Sequence, residues 1–210
     1  MPICGLETRG LGTKRRYSPF WRIFTYLIFA HRIYLLIALK RSLSDLDVAY
    51  NDRITDDAIP ALLIMDKLQY LSLLETSITI AGVRRLAVEL DESKRFIEVE
   101  VPRSCEQYIN SASPEFIVSQ NSVRELNLHF PVELSQKYVV DPMSPLITDP
   151  LAVDLLSLSA LKHNLAAHAE VNSEISAKGA KTELAERLKT ILDTRKADLL
   201  AQKLVWQIDE

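Results

Sequence analysis

The stretch LQYLSLLETSITIAGVRRLAVEL, residues 68–90, decides the fold, because the residues before it, LSDLDVAYNDRITDDAIPALLIMDK at 43–67, follow the same pattern. Spaced leucines, a polar turn residue and an Ile-Thr pair recur in the same order in both copies, which indicates an internal repeat. The matched pairs are Leu43 with Leu68, Leu46 with Leu71, Val48 with Leu73, Asn51 with Thr76 and, after a shift of one residue in register, Ile54-Thr55 with Ile78-Thr79, Ile59 with Val83 and Leu62 with Leu86.

Each copy is predicted to form a short strand followed by a helix. Alternate residues of the L-x-L portion point to the same face of a strand, and a repeat buries that face. Asn51 or Thr76 then turns the chain, and Thr55 and Thr79 are suitable N-caps for the helix that follows. The competing interpretation is a chance run of leucines in two amphipathic helices.

The pattern resembles the leucine-rich-repeat family, in which LxxLxLxxN precedes a helix. The resemblance implies a solenoid of stacked α/β units, and two units alone cannot bury a continuous core. We therefore predict an upstream copy in IYLLIALKR at 33–41 and downstream copies in FIEVEV at 96–101 and VRELNLHF at 123–130. The leucine-rich-repeat segment is assigned to 33–130, as the last units of a solenoid truncated on its N-terminal side.

A proline-rich stretch follows the repeats. Residues 131–150, PVELSQKYVVDPMSPLITDP, contain four prolines, which remove backbone donors and restrict the residues before them. We interpret 131–150 as a linker or an extended strap across the end of the repeats, and place the domain boundary there.

Residues 151–210 are predicted to form an all-α helix-loop-helix. Leucines at helical spacing mark an apolar face on each helix, and a polar loop separates the helices. These apolar residues are Leu158, Leu161 and Leu165 on the first helix, and Leu184, Leu188, Ile191 and Leu192 on the second.

The segment 156–192 resembles the SAP motif, a helix-loop-helix found in chromatin and RNA-processing proteins. Its specific part is Gly179, Lys181, Glu183-Leu184 and Arg187-Leu188, which match the family's G-x-K-x-E-L-x-x-R-L. The loop at 170–178 is longer than usual, and Ala169 stands where the family has glycine. The resemblance implies binding of duplex DNA, or of RNA, through the start of the second helix.

A helix N-terminus suits a phosphate, because it offers free N–H groups and partial positive charge. The residues assigned to nucleic-acid binding are Lys178, Gly179, Lys181, Thr182, Arg187 and Lys162. Against this, residues 151–210 hold eight Lys and Arg and nine Asp and Glu, so only a few phosphate contacts are expected and binding should be weak and salt-dependent. A helical packing unit or a protein-docking module is the competing interpretation.

Composition disfavours most enzyme classes. The chain has a net charge of −3, two cysteines without a CxxC pair, and five glycines that form no phosphate-binding cluster. His163 and His168 are spaced wrongly for a metal pair on one helix face. No catalytic motif, metal site or cofactor is expected.

The N-terminal segment 1–32 is left open. Residues 18–39, SPFWRIFTYLIFAHRIYLLIAL, are apolar and aromatic, but charged residues interrupt them before they reach the roughly 18–20 residues of a spanning helix. A helix plus strand that caps the repeats is preferred, and a membrane anchor or an imperfect gene-model start are the alternatives.

The sequence thus predicts an α/β leucine-rich-repeat fragment followed by an all-α SAP-like module. The expected function is that of a non-enzymatic, nuclear adaptor, in which the repeats bind a protein and the SAP-like module touches DNA or RNA. The alternatives are a purely protein-binding repeat adaptor of the ubiquitin-ligase substrate-receptor type, in the nucleus or the cytoplasm, and a membrane-tethered interaction protein.

Overall fold

The structure is a computed structural model that describes residues 22–24, 34–111 and 134–206. The described chain is mixed α/β, with a parallel sheet in its first half and two long helices at its C-terminal end. The strands are β1 (Arg22–Phe24), β2 (Asp45–Asp47), β3 (Tyr70–Ser72) and β4 (Glu98–Glu100). The α-helices are α1 (Ile59–Leu63), α2 (Ile80–Glu92), α3 (Arg103–Asn110), α4 (Leu158–Val171) and α5 (Lys181–Trp206), with 3₁₀-helices at Tyr34–Leu39, Asp56–Ala58, Leu134–Gln136 and Pro150–Leu155.

The four strands pair in chain order and all run parallel. A helical segment lies between each strand and the next, as parallel neighbours require. In the register, Leu46 lies beside Leu71, and Leu71 beside Val99. These three side chains point to the helix side of the sheet, where they are buried in one core.

The two copies recognised in the sequence have matching backbones. Tyr50 and Glu75, at equivalent positions, both adopt positive φ angles, 59° and 52°. The next residues, Asn51 and Thr76, each donate a side-chain hydrogen bond to the carbonyl oxygen three residues earlier, at 2.8 and 2.7 Å. The polar residue of each copy therefore closes the same turn after the same strand.

Successive units are also tied together at their helix starts. Thr79 is the N-cap of α2, as predicted, and its Oγ1 accepts from the N–H of Ala81 at 3.2 Å. The Asp56 carboxylate of the preceding unit accepts from Thr79 N–H at 2.8 Å and from its hydroxyl at 2.6 Å. A Cβ at Gly82 would lie 2.2 Å from Asp56 Oδ1, so the small residue in α2 makes room for this carboxylate.

The predicted flanking copies have different outcomes. The strand expected in 96–101 is confirmed as β4. The upstream prediction at 33–41 is wrong in position, because 34–39 form a 3₁₀-helix and the strand that pairs with β2 is β1. The copy predicted at 123–130 and most of the segment 1–32 lie outside the described residues.

The two predicted C-terminal helices are confirmed as α4 and α5. Their facing leucines are buried together with Val153, although Leu158 at the start of α4 is 43% exposed. The buried set is Leu161, Leu165, Leu184, Leu188 and Leu192.

Helix α5 continues past this small core and packs on the repeats. Ala201 is fully buried in the core of the strand–helix units, and Leu200, Leu204 and Val205 pack against the same core. Ile191 contacts both cores. The domain boundary within 131–150 stays a prediction, but α5 packs against both of the parts that this boundary would separate.

Candidate nucleic-acid interface and the groove beside it

The loop between α4 and α5 is held by Arg187. Its guanidinium donates from Nη1 to the carbonyl oxygens of Ser176 and Lys178, the latter at 3.2 Å. The SAP-like pattern predicts a phosphate contact for Arg187, with packing of its aliphatic stem as the alternative. In the structure its Nη1 orders the loop in front of the helix.

The first turn of α5 already has an anionic neighbour. Gly179 has a φ of +137°, in a region that side chains disfavour. Glu183 Oε2 accepts from Ala180 N–H at 3.0 Å, and a Cβ on Gly179 would lie 2.5 Å from the same oxygen. The glycine thus admits the Glu183 carboxylate to the place where a phosphate would approach.

Three of the residues assigned to nucleic-acid binding lie together around the start of α5. Lys178, Lys181 and Thr182 are all exposed around the start of α5. Lys162 is also exposed, in the first turns of α4.

A buried polar cluster, which sequence reasoning missed, joins α5 to the repeats. Asp198 of α5 is 3% exposed, and Arg84 of α2 donates to it from Nε at 2.7 Å and from Nη2 at 2.8 Å. Tyr138 and Tyr108 also donate to Asp198 Oδ2, at 2.5 and 3.3 Å. We call these four residues the junction cluster. One carboxylate therefore links α2, α3, α5 and residue 138 of the predicted linker.

The pKa values of Arg84, Tyr108 and Tyr138 in the junction cluster are all raised. Burial, together with the nearby Asp198 charge, raises the pKa of both Tyr108 and Tyr138, so both hydroxyls remain donors at neutral pH. Burial opposes the charge on Arg84, yet the hydrogen bond and charge of Asp198 raise the pKa of Arg84. The cluster is an ion pair supplemented by two tyrosine hydroxyl donors.

Residues 134–150, which we call the strap, are pinned by side chains of the two long helices. His168 Nδ1 accepts from Val139 N–H at 3.1 Å, and Asn164 Oδ1 accepts from Ile147 N–H at 2.9 Å. Arg195 donates from Nε to the carbonyl oxygen of Val140 at 2.7 Å. His168 and Asn164 are thus buried polar residues whose function is to satisfy backbone groups of the strap.

A groove of about 900 Å³ opens between the strap, the α4–α5 loop and the middle of α5. Lys137 projects into it, with its ammonium 4.6 Å from the centroid of the Tyr108 ring. Burial and the positive charge of Arg84 lower the pKa of Lys137, while Asp198 opposes this shift. The apolar lining residues are Ile80, Val171, Ile175 and Ile191.

Within 22–24, 34–111 and 134–206, no group of three or more His, Cys, Asp or Glu is placed to hold a metal ion. None of the helices in these parts of the chain combines the length and apolar character that crossing a bilayer requires. Cys105 is buried, and burial raises the pKa of its thiol to about 11.

Comparison with protein-family models, with curated proteins and with solved structures finds no match to this chain. The interpretation of the site therefore depends on its own geometry.

Proposed function

We propose that this chain is a non-enzymatic adaptor. Its parallel strand–helix units act as a leucine-rich-repeat fragment that binds a protein, and the α4–loop–α5 segment acts as a SAP-like module that contacts duplex DNA, or RNA. The observation that carries the nucleic-acid part is the joint exposure of Lys178, Lys181 and Thr182 at the start of a long helix. A nuclear location follows from this proposal, with the cytoplasm as the alternative.

The repeat part is supported by the recurring geometry. Positive φ angles at Tyr50 and Glu75 and the same side-chain closure at the next residues recur in successive units. The parallel strands follow one another in chain order, as they do when each unit stacks on the previous one. Such arrays present a continuous surface that suits a protein partner.

The contact with nucleic acid would use backbone and side chains together. The first amides of α5 offer N–H groups and partial positive charge to a phosphate. Lys178 and Lys181 add two cations, and the Thr182 hydroxyl adds a donor. Glu183 competes for the same position through its bond to Ala180 N–H. The expected binding is therefore weak and confined to a few phosphates.

A mobility shift of the full chain with duplex DNA at low salt tests this proposal. Lys178→Glu together with Lys181→Glu should abolish the shifted band. The matched control is Lys67→Glu with Lys196→Glu, which changes the net charge equally at two other exposed lysines and should retain the band. An unshifted wild-type chain, or equal loss in the control, would contradict the proposal.

The second candidate is an adaptor that binds proteins only. It is favoured by the internal use of Glu183 and Arg187, which stabilise the helix start and the loop without any ligand. The same experiment separates the two, because a protein-only adaptor shows no affinity for DNA even at low salt.

A further inference from the structure

The groove beside the junction cluster combines one cation with apolar walls. Lys137 is half-buried, and no carboxylate of the described residues lies within ion-pair distance of its ammonium. The ammonium of Lys137 makes a cation–π contact with the face of the Tyr108 ring. A cation held partly away from water without an anion is a binding opportunity, because a hydrogen bond to a charged partner is stronger than one between neutral groups.

The nearby carboxylate of Asp198 forms no described hydrogen bond or ion pair with Lys137. Asp198 already accepts two hydrogen bonds from Arg84 and one from each of Tyr108 and Tyr138. One of these bonds goes to Oδ1 and three go to Oδ2, and Lys137 is not among the donors. The positive charge of Lys137 is left for an anion that enters from the groove.

The other lining residues define the rest of the ligand. Ile80, Ile175 and Ile191 provide an apolar wall, and exposed Gln136 and Ser173 make no side-chain hydrogen bond within the described residues. An apolar side chain suits the wall, and the free amide and hydroxyl suit a peptide backbone. The volume of about 900 Å³ lies within the range of roughly 300–1,000 Å³ that is typical of ligand sites.

We propose that this groove binds a segment of a partner protein in which an acidic residue stands beside apolar ones, with the acidic side chain paired to Lys137. A nucleic acid suits the groove poorly, because Lys137 is the one cation among its lining residues and Glu174 lies at the same groove. The inference goes beyond the proposed function, since it places a protein partner at the junction of the two parts and does not depend on DNA binding.

Selection of random 12-residue peptides displayed on phage, using the full chain as bait, tests the inference. Wild type and the control Lys67→Glu, an exposed lysine away from the groove, should both enrich peptides with Asp or Glu next to apolar residues. Lys137→Glu should not. Absence of enrichment on wild type, or the same acidic peptides on Lys137→Glu, would overturn the inference.

Fluorescence anisotropy with the most enriched peptide gives the quantitative result. Its affinity should fall about tenfold or more with Lys137→Glu, and equally when the acidic residue of the peptide becomes its amide. Lys137→Arg, which keeps the charge, should retain most of the affinity. Thr190→Trp fills the groove from its exposed rim and should also block the peptide; unchanged affinity in this variant would overturn the inference even if Lys137→Glu folds poorly.

Discussion

Asp198 of α5 accepts two parallel hydrogen bonds from the guanidinium of Arg84 of α2, at 2.7 and 2.8 Å, across 114 residues of chain. This planar arrangement is the strongest form of a side-chain ion pair. Because α5 also forms the small core with α4, the pair fixes the helical part of the molecule against the repeats.

Removal of the Asp198 carboxylate should be strongly destabilising. Asp198→Ala leaves the Arg84 charge and two tyrosine hydroxyls without their shared acceptor, and breaking a buried pair in this way costs about 3–5 kcal/mol. Urea unfolding measures the change. Asp193→Ala, an exposed carboxylate on the same helix, is the control and should stay within about 0.5 kcal/mol of wild type. Equal stabilities for the two variants would show that the pair does not hold the parts together.

Gly82→Ala should destabilise the repeats, against the usual preference of a helix for alanine. The new Cβ would meet the Asp56 carboxylate at 2.2 Å and disturb its bonds to Thr79. We expect a loss of about 1–3 kcal/mol in the free energy of unfolding. Asp56→Ala in the same chain should recover part of this loss. A stabilising Gly82→Ala would mean that the two units do not approach as closely as described.

Stability should also depend on pH through His168. Burial, reinforced by the positive charge of Arg195, lowers the pKa of His168 below its ordinary value of 6.5. The unfolded chain therefore binds this proton at a higher pH than the folded chain does. The stability that depends on neutral His168 is therefore fully present above about pH 6.5. As the pH falls below this value, the free energy of unfolding decreases by up to about 1.4 kcal/mol per pH unit.

The measurement is urea unfolding between pH 8 and pH 5 for wild type, His168→Gln and His163→Gln. The Gln side chain at 168 retains an acceptor for Val139 N–H but takes up no proton, so this variant should lose less stability on acidification. His163 is exposed and serves as the control. Identical pH profiles for wild type and His168→Gln would contradict the assignment.

The repeat was predictable from the sequence because its buried leucines and its turn residues recur at fixed spacing. Leu71 and Leu73 are both fully buried, as the pattern predicts, and β4 was also found correctly. The upstream strand was misplaced because the apolar run at 33–41 fits a strand and a 3₁₀-helix equally well.

The contact between α5 and the repeats could not be predicted from the spacing of residues in the sequence. Arg84 and Asp198 are charged residues on helices, a pattern that usually indicates a solvated face, and nothing local marks them as a pair. Trp206 at the end of α5 is 40% exposed, unlike most large aromatic residues, and it donates from Nε1 to Asn110 Oδ1 at 2.8 Å. The groove at Lys137 likewise arises only where the strap crosses α5, so local periodicity contains no sign of it.

Glu183→Gln should tighten DNA binding if the start of α5 is the contact. The substitution removes a negative charge that occupies the first turn beside Ala180 N–H, while the amide oxygen retains the ability to accept that bond. We expect several-fold higher affinity in fluorescence anisotropy at low salt, since charges near a helix start contribute about 0.3–1 kcal/mol. Glu170→Gln, an exposed residue near the end of α4, is the matched control and should have a smaller effect.

The affinity of the full chain for duplex DNA as a function of salt concentration tests the adaptor account most directly. The account predicts measurable binding at low salt, with log affinity falling linearly against log salt and a slope that reflects about two to four phosphates at roughly 0.9 counterions each. Lys178→Glu with Lys181→Glu should make that slope shallower by roughly one to two. No affinity at low salt, or a slope unchanged by the two substitutions, would contradict the claim that the start of α5 meets nucleic acid.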